Sequence, residues 1–359
     1  MKKEVLFIGA GTRGAKLVGN EMQPYMDFHG KTCLEHVVEA AMKARSVGDI
    51  YIWGDEKTIN SILQEHIKQY MQEIVVVEER DNIVESFLFT YFNYVSSQNN
   101  TLRSLVNSWQ RRKDINWTLL KRYLKTTDHW EEKINVVVSD TPLISSSELD
   151  FLIENKNRQA DLVVGRTYKK DFDAILNGVD EPLDYKRAIK NFYTYRINNR
   201  DEDLIVNSFI SGNPFRLNEN IWNLIGNFYE NRTIIAGHKH NLSKITGNLL
   251  NFKRFFFPKH SEKGQHSYTE RLRAALYLVH AYQTIIRGKK NRVLYMDLHL
   301  MYEKIRTLIN RSVEFDLSHC FGSAFDIDTQ YEADFVRRNF YTLKNLCYEH
   351  HKKIISRQD

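Results

Sequence analysis

The residues Val5-Leu6-Phe7-Ile8-Gly9-Ala10-Gly11-Thr12-Arg13-Gly14 decide the fold that we predict for this chain of 359 residues. A short apolar run that ends in glycines is typical of a buried parallel strand leading into a turn. Glycines in that turn would let backbone N–H groups face an anion with no Cβ in the way. The stretch therefore predicts a strand and a phosphate-binding loop; the alternative is a tight strand-to-helix turn that binds nothing.

The same alternation of strand and helix continues outward from this stretch. Apolar runs predict further strands at 49–53, 74–77, 134–138 and 160–164. Between them, helical spacing predicts helices that begin at Thr32, at Glu56 and near Asn82, with Gly48 placed to end the first. A capping box at Ser145–Glu148 predicts another. This order predicts an α/β fold with a mostly parallel central sheet, helices on both faces, and a ligand site at the carboxyl ends of the strands.

Two basic, mainly helical stretches interrupt the alternation. The predicted organisation is an α/β domain of residues 1–217 plus 319–359, with a helical insertion at about 95–133, and a second, mainly helical basic insertion at 218–318. Before the second insertion, the turn at 198–203 predicts an antiparallel hairpin.

Composition and charge limit where the protein is expected to act and what it is expected to bind. The amino terminus has too short an apolar run for a signal peptide, no segment is long enough to span a bilayer, and the three cysteines form no CxxC pair, so we expect a soluble, cytoplasmic protein. The net charge of +6 favours polyanions, but no specific nucleic-acid signature is present. Residues 251–259 mix aromatic and basic side chains, which suits peripheral contact with an anionic membrane, an oligomer contact or a buried strand edge. The sequence does not fix the oligomeric state.

The glycine pattern also fits the dinucleotide fingerprint GxGxxG. That interpretation needs an acidic residue about 20 positions further on, at the end of the second strand, to bind the ribose. Asp27 comes early and lies in no convincing strand, whereas Asp55 follows a strand but comes late. A dinucleotide-binding oxidoreductase therefore remains an alternative.

Acidic residues follow two other apolar runs. Asp140 comes after the predicted strand 134–138, and Asp326 and Asp328 come after a short apolar stretch that precedes a helix near Gln330. Carboxylates at the ligand-bearing edge of the sheet could hold Mg²⁺ on a triphosphate. Each could instead be structural, with Asp140 capping a turn before Pro142 and the later pair capping the helix.

Taken in order, four stretches resemble the GT-A-like nucleotidyltransferases, a family that includes molybdenum-cofactor guanylyltransferase-like and sugar- or alcohol-phosphate nucleotidyltransferases. The stretches are Gly9–Gly14 with Lys16, residues 28–31 leading into 34–37, residues 138–143, and residues 326–329 with Asp334. The resemblance covers roughly residues 3–97, 134–217 and 320–340, and it implies a GT-A/Rossmann-like fold.

The resemblance also implies roles for individual residues. Those implied to bind the nucleotide phosphates are Gly9, Ala10, Gly11, Thr12, Arg13 and Gly14. Those implied to act in catalysis are Arg13, Lys16 and Asp140. Asp140 and Asp328 are implied to bind Mg²⁺, with Asp326 as the alternative second ligand. Asp81 and Asn82 lie where the family contacts the base, which would favour CTP or GTP, although either could instead cap a helix. Asn207 and Asn213 are implied to contact the acceptor.

The chain departs from the family at one position. The family usually carries Lys-Pro where this chain has Gln23-Pro24, and glutamine brings no positive charge to the reacting phosphate. Either Arg13 or Lys16 substitutes, or the protein is a slow enzyme or a nucleotide-binding or scaffold relative. The leading hypothesis is a Mg²⁺-dependent nucleotidyltransferase that joins an NTP to a phosphorylated small acceptor and releases pyrophosphate.

Two neighbouring histidines near the carboxyl terminus were also considered as metal ligands. His350 and His351 do not show the spacing of a known metal site, so we expect their side chains to be solvated.

Overall fold

The computed structural model describes residues 3–11, 17–64, 74–80, 83–95, 133–188, 190, 192–213, 267, 269–274, 276–277, 296–309 and 313–356. Almost all of the predicted insertion at 95–133, and most of the one at 218–318, lie outside the described residues.

Nine strands of the described residues form one sheet. They are β1 (Glu4–Ala10), β4 (Val47–Gly54), β5 (Ile74–Glu78), β6 (Ile134–Val138), β7 (Leu162–Tyr168), β8 (Tyr193–Ile197), β9 (Arg200–Gly212), β10 (Met296–Asp297) and β11 (Val313–Ser318). Two short strands, β2 (Leu17–Val18) and β3 (Glu21–Met22), form a separate antiparallel pair. Because β10 and β11 belong to the central sheet, that sheet includes the last part of the stretch 218–318 that the sequence assigned to an insertion.

The sheet is mostly parallel, as the sequence predicted. Its order is β5-β4-β1-β6-β9-β7-β11, with β8 alongside the first residues of β9 and β10 next to β8. Only β9 runs antiparallel to its neighbours β6, β7 and β8, and the other pairings are parallel. The predicted hairpin is confirmed, since β8 and β9 are joined by Asn198 and Asn199, both with positive φ.

Seven helices with described bounds surround the sheet. They are α1 (Cys33–Lys43), α2 (Glu56–Ile62), α3 (Ile83–Thr90, followed by a π-helical turn Tyr91–Val95), α4 (Ser146–Asn155), α5 (Lys169–Leu176), α6 (Leu298–Ile309) and α7 (Gln330–Ile355). Capping boxes begin α1, α4 and α7, and the one predicted at Ser145–Glu148 is confirmed. Gly48 does not end α1 as expected; it lies inside β4. Among the described helices, none has the length and apolar character required to cross a membrane.

Helices cover both faces of the sheet because the side chains of β1 alternate. Leu6 and Ile8 are fully buried in the cluster that contains the apolar residues of α1 and α4. Phe7, between them, points to the opposite face, where its ring centroid lies 5.1 Å from that of Phe87 in α3 and 5.5 Å from that of Tyr51 in β4. The predicted fold class is therefore confirmed.

Candidate functional site

The carboxyl ends of β1 and β6 are joined by hydrogen bonds. The carbonyl oxygen of Gly9 accepts from the backbone N–H of Ser139 at 3.0 Å and from its hydroxyl at 2.8 Å. On the other side of β1, the N–H of Glu79, which follows β5, donates to the carbonyl oxygen of Gly54 at the end of β4, at 2.8 Å. The start of the glycine loop therefore lies between the residues that follow β6 and those that end β4 and β5, at the edge where parallel sheets bind ligands.

Neighbouring side chains lie close to the backbone at Gly9 and Gly11, so there is little space for a larger residue at either position. A Cβ built on Gly9 would lie 3.2 Å from the ring of Trp53, and one built on Gly11 would lie 3.1 Å from the carboxyl group of Glu79. The hydroxyl of Tyr25 donates to the carbonyl oxygen of Ala10 at 3.4 Å. Burial, and then the nearby carboxylates Asp55 and Glu79, raise the pKa of Tyr25 to about 12, so this hydroxyl stays a donor at neutral pH.

The other residues predicted for the loop and the base lie outside the described residues. They are Thr12, Arg13, Gly14, Lys16, Asp81 and Asn82. Their implied roles stay predictions.

The segment that carries Asp328 folds back onto the segment that carries Asp140. The backbone N–H of Ile327 donates to the carbonyl oxygen of Asp140 at 3.0 Å. Asp140 follows β6, whereas Asp328 precedes α7, so this contact joins two parts of the chain that are far apart in sequence. Both acids therefore lie at the carboxyl edge next to the end of β1.

Asp328 does not cap α7. The N-cap is Thr329, whose hydroxyl accepts from the N–H of Glu332 at 3.2 Å. The carboxylate of Glu332 accepts in return from the N–H groups of Asp328 at 2.7 Å and Thr329 at 2.8 Å. Because Thr329 and Glu332 complete the cap, the alternative interpretation of Asp328 as the capping residue is wrong.

Asp326 has a different environment from Asp328. Its carboxylate lies 2.7 Å from the ammonium of Lys190, which is only 2% exposed and also lies 2.9 Å from Glu332. Burial alone would lower the pKa of Lys190, but the two carboxylates more than offset it and raise that pKa above its usual value. Asp326 and Glu332 therefore share one buried cation, in a cluster that supports the start of α7.

Gln23, which stands where the family resemblance expects lysine, is turned toward the same segment. The side chain is 4% exposed. Its Nε2 donates to the carbonyl oxygen of Ile327 at 2.6 Å and to Oδ1 of Asp328 at 3.3 Å. Gln23 carries no charge, and its side-chain amide contacts a backbone carbonyl as well as the carboxylate of Asp328.

The acids at this edge suit a metal ion that is shared with a substrate. Mg²⁺ is usually bound through one or two carboxylates together with substrate phosphates, not by a cage made wholly of protein ligands. In the part of the chain that the structure describes, no group of three or more His, Cys, Asp or Glu residues could hold a metal ion by itself. Asp140 and Asp328 supply hard oxygen ligands from adjoining segments, which fits Mg²⁺ bound to a triphosphate.

Asn207, predicted to contact the acceptor, is buried inside the sheet. It lies at the bulge between Val164 and Arg166, and a Cβ built on Gly165 would lie 1.8 Å from its Oδ1. That Oδ1 accepts from the N–H of Phe209 at 2.9 Å, and its Nδ2 donates to the hydroxyl of Ser318 at 3.1 Å. These contacts give the Asn207 amide a structural role in joining β9 to β11.

Asn213, the other predicted acceptor residue, lies at the opposite edge of the sheet from Asp140. It follows Gly212, which pairs with Ile134 and Leu162, the first residues of β6 and β7. Its N–H donates to the carbonyl oxygen of Asp161 at 3.2 Å. Because β9 is antiparallel to its neighbours, its last residues reach the amino ends of β6 and β7. The structure therefore does not bring Asn213 together with Asp140.

Asp55, the acid considered for ribose binding, is used as a helix cap. Its Oδ1 accepts from the N–H of Thr58 at 2.7 Å at the start of α2, and the side-chain and backbone hydrogen bonds from Thr58 lower the pKa of Asp55. Asp27 accepts from the N–H of Gly30 at 3.2 Å in the turn before α1.

A second polar cluster, which no sequence pattern predicted, lies where β7 and β11 end. Asp171, at the start of α5, accepts from Nδ1 of His319 at 2.9 Å and from Nε2 of His350 at 3.0 Å. Burial raises the pKa of Asp171, but these two hydrogen bonds more than offset it and hold that pKa below its usual value. His351 is 2% exposed, so the expectation of solvated histidines is wrong for His351, and His350 is bonded to Asp171.

No protein-family model and no curated protein sequence matches the chain. Solved structures do. A hypothetical transferase from Thermus thermophilus is 12% identical, with a TM-score of 0.50 over 92% of this chain and 99% of that one. A 4-diphosphocytidyl-2C-methyl-D-erythritol synthase from Anaerococcus prevotii is 13% identical, with a TM-score of 0.41 over 95% and 96%. A CMP:2-keto-3-deoxy-manno-octonic acid synthetase complexed with CTP is 12% identical, with a TM-score of 0.35 over 66% and 87%. The first similarity indicates a shared fold and nothing about activity. We draw no conclusion from the other two, because their TM-scores are below 0.5.

Proposed function

We propose that this protein is a Mg²⁺-dependent nucleotidyltransferase that joins a nucleoside triphosphate, with CTP or GTP favoured, to a phosphorylated small acceptor and releases pyrophosphate. One observation carries the proposal. The segments that hold Asp140 and Asp328 meet at the carboxyl edge of the sheet, beside the strand that leads into the glycine loop. This is where an α/β sheet binds its ligand, and the two carboxylates are ligands that Mg²⁺ prefers.

In the proposed reaction, an oxygen of the acceptor phosphate attacks the α-phosphorus of the nucleotide. The new bond is phosphorus to acceptor oxygen, and the bond from the α-phosphorus to the bridging oxygen breaks, so that pyrophosphate leaves. Mg²⁺, when bound, supplies positive charge that offsets the repulsion between the two anions. Asp140 and Asp328 would hold the ion, the backbone N–H groups of the loop from Gly9 to Gly14 would bind the phosphates, and Arg13 and Lys16 would bring charge to the reacting phosphate.

A second candidate, a protein of the same fold that binds nucleotide without efficient turnover, is favoured by Gln23. That side chain is neutral, buried and hydrogen-bonded to Ile327 and Asp328, so it brings no charge to a phosphate. This candidate predicts NTP binding without pyrophosphate release. The dinucleotide oxidoreductase is disfavoured, because Asp55 caps α2.

The first experiment identifies the nucleotide. Thermal shifts of the purified protein with CTP, GTP, ATP, UTP, NAD(H) and NADP(H), with and without Mg²⁺, should show stabilisation by one NTP in the presence of the ion. Pyrophosphate release would then be measured with that NTP and a panel of phosphorylated sugars and alcohols. Turnover by the unmodified protein would argue against the second candidate, and stabilisation by a dinucleotide alone would argue for the oxidoreductase.

The metal assignment is tested with three matched variants. Asp140→Asn and Asp328→Asn should each weaken Mg²⁺-dependent NTP binding by about tenfold or more, since even outer-shell partners of bound metals are worth about 10- to 100-fold. Asp326→Asn is the control, because Asp326 is engaged with Lys190. If Asp140→Asn and Asp328→Asn both keep wild-type Mg²⁺ dependence, the assignment is wrong. If Asp140→Asn and Asp326→Asn lose it while Asp328→Asn keeps it, Asp326 replaces Asp328 as the second ligand.

A further inference from the structure

The peptide group between Ala10 and Gly11, where β1 leads into the glycine loop, is held from one side. Its carbonyl oxygen lies on the side of β4, since a Cβ built on Gly54 would come within 2.6 Å of it. The hydroxyl of Tyr25 donates to this carbonyl oxygen at 3.4 Å. A trans peptide is planar, with its C=O and N–H groups pointing in opposite directions, so the N–H of Gly11 points away from β4.

The side of β1 opposite β4 is the side of β6, because β1 lies between these two strands in the sheet. The carbonyl oxygen of Gly9 points to that side, where it accepts hydrogen bonds from Ser139. Backbone groups of successive residues in a strand point to alternate sides, which agrees with the opposite directions of the Gly9 and Ala10 carbonyls. The N–H of Gly11 is therefore directed to the side where β6 ends, at the edge of the sheet where the triphosphate is proposed to bind.

The Tyr25 side chain is itself fixed by several contacts. Its ring packs against the buried cluster that β1 shares with α1 and α4. Burial, and then the carboxylates of Asp55 and Glu79, raise the pKa of Tyr25 to about 12, and a hydrogen bond from the backbone N–H of Asp55 offsets only part of that rise. Because the hydroxyl accepts from one backbone group and keeps its proton at neutral pH, that proton is available to the carbonyl oxygen of Ala10.

From these contacts we infer that Tyr25 is a positioning residue for the glycine loop, whose hydroxyl holds the carbonyl of Ala10 so that the N–H of Gly11 faces the triphosphate. The inference rests on the proposed function, because it takes this loop as the phosphate site. Backbone N–H groups stabilise phosphate charge best when they already point at it, since no reorganisation is then needed on binding. Tyr25 acts through the backbone of Ala10 and does not need to touch the nucleotide.

The test compares Tyr25→Phe with a matched control, Tyr302→Phe. Phenylalanine at position 25 removes the hydroxyl but keeps the ring that packs against the core, so the variant should fold. The hydroxyl of Tyr302 also joins two backbone groups, since it accepts from the N–H of Phe315 at 2.7 Å and donates to the carbonyl oxygen of the same residue at 3.4 Å. It lies between α6 and β11, away from the glycine loop.

Calorimetric titration gives the affinity of the wild type and both variants for three kinds of ligand. These are CTP and GTP with Mg²⁺, inorganic tripolyphosphate with Mg²⁺, and the nucleosides cytidine and guanosine. Urea unfolding of each protein measures the loss of stability separately from the loss of binding.

We expect Tyr25→Phe to weaken the binding of tripolyphosphate and of the preferred NTP by about tenfold, which is the size of one hydrogen bond to a charged group. Nucleoside affinity should not change, because a nucleoside has no phosphate for the N–H of Gly11 to contact. Tyr302→Phe should bind every ligand as the wild type does, although it loses a comparable pair of hydrogen bonds to the backbone.

Two results would overturn the inference while leaving the proposed function intact. One is a Tyr25→Phe protein that binds tripolyphosphate and NTP as tightly as the wild type. The other is an equal loss of affinity for nucleosides and for triphosphates, which would show that Tyr25 supports the fold of the site as a whole. By contrast, a wild-type protein that binds neither NTP nor tripolyphosphate would remove the proposed function and this inference with it.

Discussion

Replacing Lys190 by methionine should destabilise the protein far more than the loss of an ordinary ion pair. The Lys190 side chain is 2% exposed, and its Nζ lies 2.7 Å from Asp326 and 2.9 Å from Glu332, whose side chain is fully buried. Methionine preserves most of the volume but leaves Glu332 as a buried carboxylate without its cation. Breaking a buried pair from one side costs about 3–5 kcal/mol. Set against a typical stability of about 5–15 kcal/mol, this is a large fraction.

The assay is equilibrium urea unfolding at pH 7, with Lys169→Met as the matched control. Lys169 pairs with Asp173 at 2.6 Å one helical turn away, but these side chains are 33% and 40% exposed. A surface pair of this kind contributes only about 0.3–0.5 kcal/mol. The same substitution at the two lysines should therefore differ several-fold in its effect on the free energy of unfolding, because one ammonium is buried and the other is solvated.

The pH dependence of the Lys190→Met protein tests the cause. Burial raises the pKa of Glu332 even with Lys190 present, and loss of the lysine should raise that pKa further. A carboxyl group whose pKa is raised by folding loses its contribution to stability as the pH rises through the folded-state pKa. The deficit of Lys190→Met should therefore shrink between pH 8 and pH 5, and Glu332→Gln in the same chain should recover part of it. A deficit equal to that of Lys169→Met, or one that does not change with pH, would refute this account.

Two further predictions concern buried carboxyl groups away from residues 326–329. Burial raises the pKa of Glu148 to about 7 despite hydrogen bonds from Gly322 and Ser145, so the stability that Glu148 contributes should fall as the pH rises from 5 to 8. In urea titrations, Glu148→Gln should therefore gain stability relative to the wild type as the pH rises, and parallel curves would contradict this. Asp171→Asn removes a charged acceptor of two imidazoles and should cost about 1–3 kcal/mol at pH 7. Because the pKa of Asp171 is lowered, that cost should disappear as the pH falls below the usual aspartate range, and an undiminished cost in acid thermal melts would count against it.

Local sequence patterns predicted the elements that depend on neighbouring residues. The strand expected from Val5 to Ile8 is β1, and the capping box at Ser145–Glu148 begins α4. The position of Asp140 was predictable for a different reason, since it follows β6 and the carboxyl ends of parallel strands lie at one edge of a sheet. Asp328 follows no strand, because β11 ends at Ser318 and the turn Gly322–Ala324 comes between. Its segment reaches Asp140 through the hydrogen bond from Ile327, a contact that no local pattern indicates.

The positions of other residues were not predictable, because they depend on register or on contacts between distant segments. The hairpin of β8 and β9 was predicted, but the length of β9 was not, and that length takes Asn213 to the edge opposite Asp140. The bulge that buries Asn207 likewise leaves no pattern in the sequence of β9 alone. The environment of His350 is set by Asp171, which is 179 positions away, so helical spacing near the carboxyl terminus could not indicate it.

The described charges where Asp140 meets residues 326–329 predict how nucleotide binding depends on a cation. Among the described residues, Asp140, Asp326, Asp328 and Glu332 carry four formal negative charges, Lys190 contributes one positive charge, and the amino end of α7 adds about half a positive charge. A bare triphosphate would add negative charge beside these acids, whereas a divalent ion would offset part of it. NTP binding should therefore depend strongly on Mg²⁺ in the wild-type protein. Equal affinity for free and Mg²⁺-bound nucleotide would mean that the triphosphate binds away from Asp140 and Asp328.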